Sequence, residues 1–182
     1  NFRPEYDGQH TVIARLSGKP VFGVIAVPAN SPVKKLADLA GKKVAFPSRE
    51  AFMGYAVPMQ ALQAAKVSVD AILAGNQDGA IAQLLAGQVD AAAVNSRFLT
   101  QYAATRQFAY REVFTSEGYG ELPVIAHNRL PPPLVGAVRD ALVRMKADPE
   151  GAKLLEAAEF SGFDPAQDNQ YDNVRRIYKQ MK

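Results

Sequence analysis

The 182-residue chain is 48% hydrophobic and 21% charged, the composition of a soluble globular protein long enough for one ordinary domain or two small lobes. Its net charge of +3 comes from Lys and Arg spread along the chain, not gathered into a stripe with aromatics, which argues against a nucleic-acid partner. Cysteine is absent and the histidines are His10 and His127 alone, which excludes disulfides, thiol nucleophiles and thiolate metal sites, and offers no zinc-enzyme spacing.

Two β-rich runs come first, Thr11 to Leu16 and Val21 to Val27, with Ser17-Gly18-Lys19-Pro20 between them. Polar Gly/Pro punctuation between such runs predicts a hairpin or two neighbouring strands. Ser31-Pro32 then reads as the capped start of a short helix carrying Val33, Leu36 and Leu39 and closed by Gly41. Val44 to Phe46 is a buried strand that stops at Pro47, and from about Ala51 the spacing of Phe52, Tyr55, Met59 and Leu62 is helical. Pro58 falls inside that helix, where its ring would crowd the carbonyl of Gly54 and kink the first turn.

Val67 to Leu73 is a further strand candidate. Asn76 to Gly79 offers caps for a helix carrying Ala80, Ile81, Leu84 and Leu85 and ended by Gly87. Val89 to Val94 reads as a central buried strand, and Asn95-Ser96 turns it into a helix with Phe98, Leu99 and Tyr102. Tyr110 to Phe114 and Leu122 to Ala126 read as strands around a Gly-rich loop, Ser116 to Glu121. Helices are predicted after Pro131-Pro132-Pro133, from Pro149 to Ala158, and from Asn169 to Met181. The alternating middle predicts a parallel sheet with ligands at the strands' C-terminal ends.

A strand that runs straight into a helix aims the helix's first amides at whatever lies over the strand end, which suits a small anion. The turn Ser48 to Gly54 is therefore the leading candidate site, with an ordinary βα turn as the alternative. Arg49 either pairs with an anion or is a solvated turn residue beside Glu50. Gln77 and Asp78 are caps or ligand contacts, and Asn95 and Ser96 line a cleft or cap a helix. Glu117 and Tyr119 contact ligand or form a hinge. His127 is expected at a strand end and His10 on the surface. No nucleophile, acid/base pair or metal cluster is set out by spacing, so an enzyme, a cofactor and a metal are all unexpected.

The blocks Ser31-Pro32-Val33-x-x-Leu36-x-Asp38-Leu39-x-Gly41-Lys42-x-Val44-Ala45-Phe46, Gly54-Tyr55-x-x-Pro58 and Gly87-x-Val89-Asp90-Ala91-Ala92-Ala93-Val94 resemble the phosphate/phosphonate-binding family of periplasmic ABC-transporter receptors. Leu130-Pro131, Gly162-Phe163 and Asp168 to Tyr171 resemble its C-terminal segment. The resemblance implies an α/β, type II periplasmic-binding-protein fold. One parallel-sheet lobe would carry helices on both faces, beside a partial second lobe and a helical C-terminal tail, with the ligand held in the cleft between lobes. Residues 1–27 would end lobe one, 28–116 would form lobe two, and 117–182 would return to lobe one, whose first part would be missing.

It also implies a periplasmic location, a permease partner in the inner membrane, and a small anionic ligand. Exposed faces such as Leu134, Val138 and Leu142 would favour self-association. The alternative is the ligand-binding sensor domain of a membrane signalling protein. The family's Ser-Thr-Ser-Gly hydroxyl cluster reads Ala51-Phe52-Met53-Gly54 here, and its Ser-His-Asp element reads Asn76-Gln77-Asp78. These departures leave a phosphonate, a carboxylate, a sulfonate or a bulkier ligand packed on Phe52 and Met53 open.

Overall fold

The computed structural model describes residues 8–181; the expected 1–27 segment before Gly8, and Lys182, lie outside them. The elements in chain order are β1 (His10–Leu16), β2 (Gly23–Pro28), β3 (Lys43–Phe46), α1 (Val57–Ala64), β4 (Asp70–Leu73), α2 (Gln77–Leu85) and β5 (Ala91–Asn95), then α3 (Ser96–Arg106), β6 (Tyr110–Thr115), β7 (Pro123–His127), α4 (Pro132–Arg144), α5 (Pro149–Ala157), β8 (Phe163–Pro165) and α6 (Asp172–Gln180). They form two compact units. Among the described residues, the first comprises Val21–Gly118 and 177–181; the second comprises 8–20 and Tyr119–Arg176.

The first unit holds a sheet in the order β4-β3-β5-β2-β6. Its strands are apolar on alternate residues in both directions, so each face needs a cover. Val24, Ala26, Ala45, Ala92 and Val94 pack against Ile81, Leu84 and Leu99 of α2 and α3. On the other face Ile25, Val27, Val44, Phe46, Ala91 and Ala93 pack against Leu62 of α1 and against Val33 and Leu39. The small side chains of β5 let helices approach closely from both sides.

The expected parallel pairing holds for β4, β3 and β5. β2, however, runs antiparallel to both β5 and β6. It is therefore not the hairpin partner of β1: the two strands lie in different sheets, because β2's wholly apolar sequence needs cover on both faces. The first unit accordingly takes in β2, before the expected boundary at 27/28. The predicted helix after Ser31 contracts to a single 3-10 turn, Leu36–Leu39. Ser31 Oγ accepts from the Val33 amide (3.2 Å), and this local turn displaces the helix start.

The kink expected at Pro58 is resolved by a wide turn. Phe52–Ala56 is π-helical, with both Tyr55 N and Ala56 N donating to the Ala51 carbonyl. α1 proper then begins at Val57, so Pro58 falls in its first turn, where a missing N–H costs little.

The second unit contains the antiparallel sheet β7-β1-β8, of which the three-residue β8 has no signal in the sequence. Asp168 ties it together: Oδ1 accepts from Val12 N (3.3 Å) and Oδ2 meets Arg175 Nη2 (2.7 Å). Tyr171 donates its hydroxyl to the Glu121 carbonyl (2.7 Å), and its burial raises the phenol's pKa. α4 has no buried residue; Leu134 is 50% and Val138 42% exposed, and Leu142 is half-buried. His10, expected on the surface, is half-buried with its ring edge-on to His127 at 4.8 Å between centroids.

Candidate ligand-binding site

In the first unit the C-terminal ends of β3 and β5 lie at one rim of the sheet. Because β2 is antiparallel to β5, its first residue joins them: Gly23 pairs with Asn95. β6 then ends beside Gly23, which donates to Ser116 Oγ (3.0 Å) while the Ser116 amide returns a bond to the Gly23 carbonyl (3.0 Å). Four sequence-distant segments thus meet at this rim: the Pro47–Gly54 turn, the start of α2, the start of α3, and the Gly23/Ser116 pair.

The polar side chains here share one arrangement. Gln77 Oε1 accepts from the Asn95 amide (3.0 Å), Asn95 Oδ1 accepts from the Arg97 amide (2.9 Å), and Ser96 Oγ accepts from the Phe22 amide (3.3 Å). A backbone N–H can only be met by an oxygen, which fixes the orientation of both side-chain amides. Each of these oxygens thus accepts a bond from the protein, which leaves the Gln77 and Asn95 side-chain N–H groups and the Ser96 O–H available as donors. N–H and O–H donors gathered at one rim are the kind of group that suits an anion.

The central turn fits closely against this rim. A Cβ at Gly54 would come within 2.6 Å of Pro47 Cγ and 3.1 Å of Gln77 Nε2, so glycine there leaves room for the Pro47 ring, with the Gln77 amide close by. A Cβ at Gly23 would come within 2.7 Å of the Met53 carbonyl oxygen. The Ser48 carbonyl accepts from the Ala51 amide (3.2 Å), closing the turn. The amides of the first turn stand outside the helix's own ladder, whose bonds begin with Tyr55 and Ala56.

The other expected residues are placed differently. Arg49 folds back on its own turn, donating from Nη1 to the Tyr55 hydroxyl (3.2 Å) and lying over that ring at 5.9 Å. Asp78, next to Gln77, is on the opposite side of the helix start and lines a 320 Å³ groove with Phe98, Gln101, Tyr102, Thr105 and Arg106. The Glu117 carbonyl accepts from Ser116 Oγ (2.6 Å). Tyr119 is corrected: its side chain is 2% exposed and part of a packed interior, so it has no surface to offer a ligand.

Sequence reasoning missed Gly23 and Ser116, whose pairing depends on strand order. It also missed Tyr178, whose ring lies 5.5 Å from that of Phe52. Helical spacing puts Tyr178 on one face with Tyr171, Val174 and Ile177, but nothing local could assign its partner. Among the described residues no group of three or more His, Cys, Asp or Glu side chains is placed to hold a metal ion. No helix among them is long and apolar enough to cross a membrane.

Residues 5–171 match the sequence profile of a family described as "ABC transporter, phosphonate, periplasmic substrate-binding protein". The chain belongs to that family. Its members are transport receptors and not enzymes. No match was found among curated protein sequences.

Solved structures agree on the fold. A binding-protein component of an ABC phosphonate transporter from Pseudomonas aeruginosa is 17% identical, with a TM-score of 0.74 over 95% of this chain and 63% of that one. PhnD1 from Prochlorococcus marinus in complex with methylphosphonate is 19% identical, with a TM-score of 0.76 over 96% of this chain and 72% of that one. The aliphatic sulphonate binding protein SsuA from Escherichia coli is 21% identical, with a TM-score of 0.61 over 96% of this chain and 69% of that one. The family member therefore has the type II periplasmic-binding-protein fold, and spans 63% of the Pseudomonas receptor's length.

Proposed function

We propose that the protein is the extracytoplasmic receptor of an ABC importer, taking up a small anionic solute and presenting it to a permease in the inner membrane. The observation that carries this reading is the rim at which Gln77, Asn95 and Ser96 spend their acceptor oxygens on backbone amides. Family membership supports the transport role and a periplasmic location.

The anion's head group is received by the side-chain donors of Gln77, Asn95 and Ser96 and by first-turn amides of the Ser48–Gly54 turn. The family's hydroxyl cluster is replaced by Ala51-Phe52-Met53, which removes three donors worth about 0.5–1.5 kcal/mol each. Phosphonate, sulfonate and carboxylate head groups all remain compatible with what is left. The test is calorimetric titration of the full-length protein with inorganic phosphate, methylphosphonate, methanesulfonate and acetate, together with phenylphosphonate and benzenesulfonate. Saturable binding of at least one is expected, weakened about tenfold by Gln77→Leu, a loss typical of a hydrogen bond to a charged group. Failure of every anion to bind overturns the reading.

A further inference from the structure

The two ends of the Phe52–Gly54 turn meet chemically different neighbours. At its Gly54 end it lies against the Gln77 amide nitrogen. At its Phe52 end it meets the Tyr178 ring, centroids 5.5 Å apart and planes tilted by 35°, within the range in which aromatic pairs attract. Phe52, Met53 and Tyr178 all remain partly exposed. The last turn of α6 is fixed in place by Gln60 Nε2, which donates to Gln180 Oε1 (3.1 Å).

A phosphate or sulfate ion presents charged oxygens in every direction and needs polar partners on all sides. Here the side-chain donors gather at the Gly54 end of the turn, near the Gln77 amide, and the positions before it carry the Ala51 methyl, the Phe52 ring and the Met53 thioether, with the Tyr178 ring against Phe52. An oxygen turned toward that wall would lose water and gain nothing. A carbon substituent turned the same way would gain by burial. Burial also raises the pKa of the Tyr178 phenol, so the ring stays neutral through the pH range in which a receptor works and adds no charge to the wall.

We propose that Phe52, Met53 and Tyr178 form a specificity wall, and that the solute is an organic anion whose apolar group, best an aromatic one, sits on that wall while its head group meets Gln77, Asn95 and Ser96. This rests on the receptor reading above and narrows it: free inorganic oxyanions are poor ligands, and the C-terminal helix contributes a selecting residue that no sequence motif marks.

The experiment compares affinities of the full-length protein for inorganic phosphate, methylphosphonate and phenylphosphonate, with methanesulfonate and benzenesulfonate as a second pair. Each aryl compound should bind about tenfold or more tighter than its small counterpart, the scale set by one ring contact added to area burial. Tyr178→Ala and Phe52→Ser should bring that ratio down toward one, whereas Tyr178→Phe, which keeps the ring, should preserve it. Thermal unfolding of each variant identifies loss of fold, and the ratio in the wild-type protein remains a test without any variant. Small anions binding as tightly as their aryl counterparts would overturn the wall and leave the receptor reading standing. An aryl preference that survives both ring removals would also overturn it. Failure of all five compounds would overturn the wall, and the receptor reading falls with it only if acetate fails to bind as well.

Discussion

The two units solve the same packing problem to different degrees. In the first, a five-stranded sheet is covered on both faces, and Phe46, Ile25 and Leu99 have no exposed surface. In the second, a three-stranded sheet supports α4, a helix with no buried residue, and Leu122, Ile125, Leu134 and Val138 face solvent. The comparison teaches where rigidity is concentrated. The donor rim is built on the unit with the closed core, so its geometry is fixed by packing before any solute arrives.

The largest expected effect breaks that contrast directly. Phe46→Ala should destabilise the first unit by about 3–5 kcal/mol, while Leu134→Ala, at a half-exposed position, should cost well under half of that. Denaturant titrations of both variants check this, and equal losses would mean that α4 is packed far better than its exposure indicates. Next in size is Gly23→Ala. Its new methyl would press on the Met53 carbonyl, costing about 1–3 kcal/mol and displacing the turn, so anion affinity should fall along with the melting temperature.

A smaller effect sharpens the comparison at a single cap. Asn76 Oδ1 accepts from Gly79 N (2.7 Å) at the start of α2, and Asn76→Ala should cost about 1 kcal/mol. If the rim depends on the position of α2, binding should weaken as well. The smallest effect is a pH dependence in the second unit. The His127 pKa is lowered from 6.5 by desolvation, then by Arg129 and His10, and its Nδ1 accepts from the Arg129 amide (3.0 Å). The folded state therefore favours the neutral ring. That contribution is complete above about pH 6.5 and is lost as the pH falls toward the lowered folded value. Unfolding measured at pH 7.5 and 5.5 should show a loss on acidification that His127→Gln reduces.

Much of this was legible from local pattern. Val44 to Phe46, Val89 to Val94 and the Asn76 cap depend on neighbours in sequence, and the structure has β3, β5 and α2 there. The family blocks led to the right family because they carry the turns that frame the sheet. The errors share a cause. The Gly/Pro punctuation between β1 and β2 predicts a hairpin or two neighbouring strands, yet that connection passes from one sheet to the other, since strand pairing depends on which faces need cover and not on proximity in the chain. The Ser31 helix failed because its side chain found a closer backbone partner.

At the candidate site the division is sharper. Gln77, Asn95 and Ser96 could be named from their places at strand and helix ends, but how each side chain is oriented depended on backbone amides 2 to 74 positions away in sequence. Asp78 and Tyr119 were equally plausible by pattern, and only packing directed one into another groove and buried the other.

The sequence alone determined the local elements and the family, because periodicity, caps and turns are encoded over a few residues. Tertiary structure alone decided that β2 reverses direction beside β5, that Gly23 and Ser116 close the rim, and that Tyr178 meets Phe52. Those contacts join residues between 66 and 126 positions apart, where no short-range rule reaches and only the burial of both sheet faces selects the arrangement.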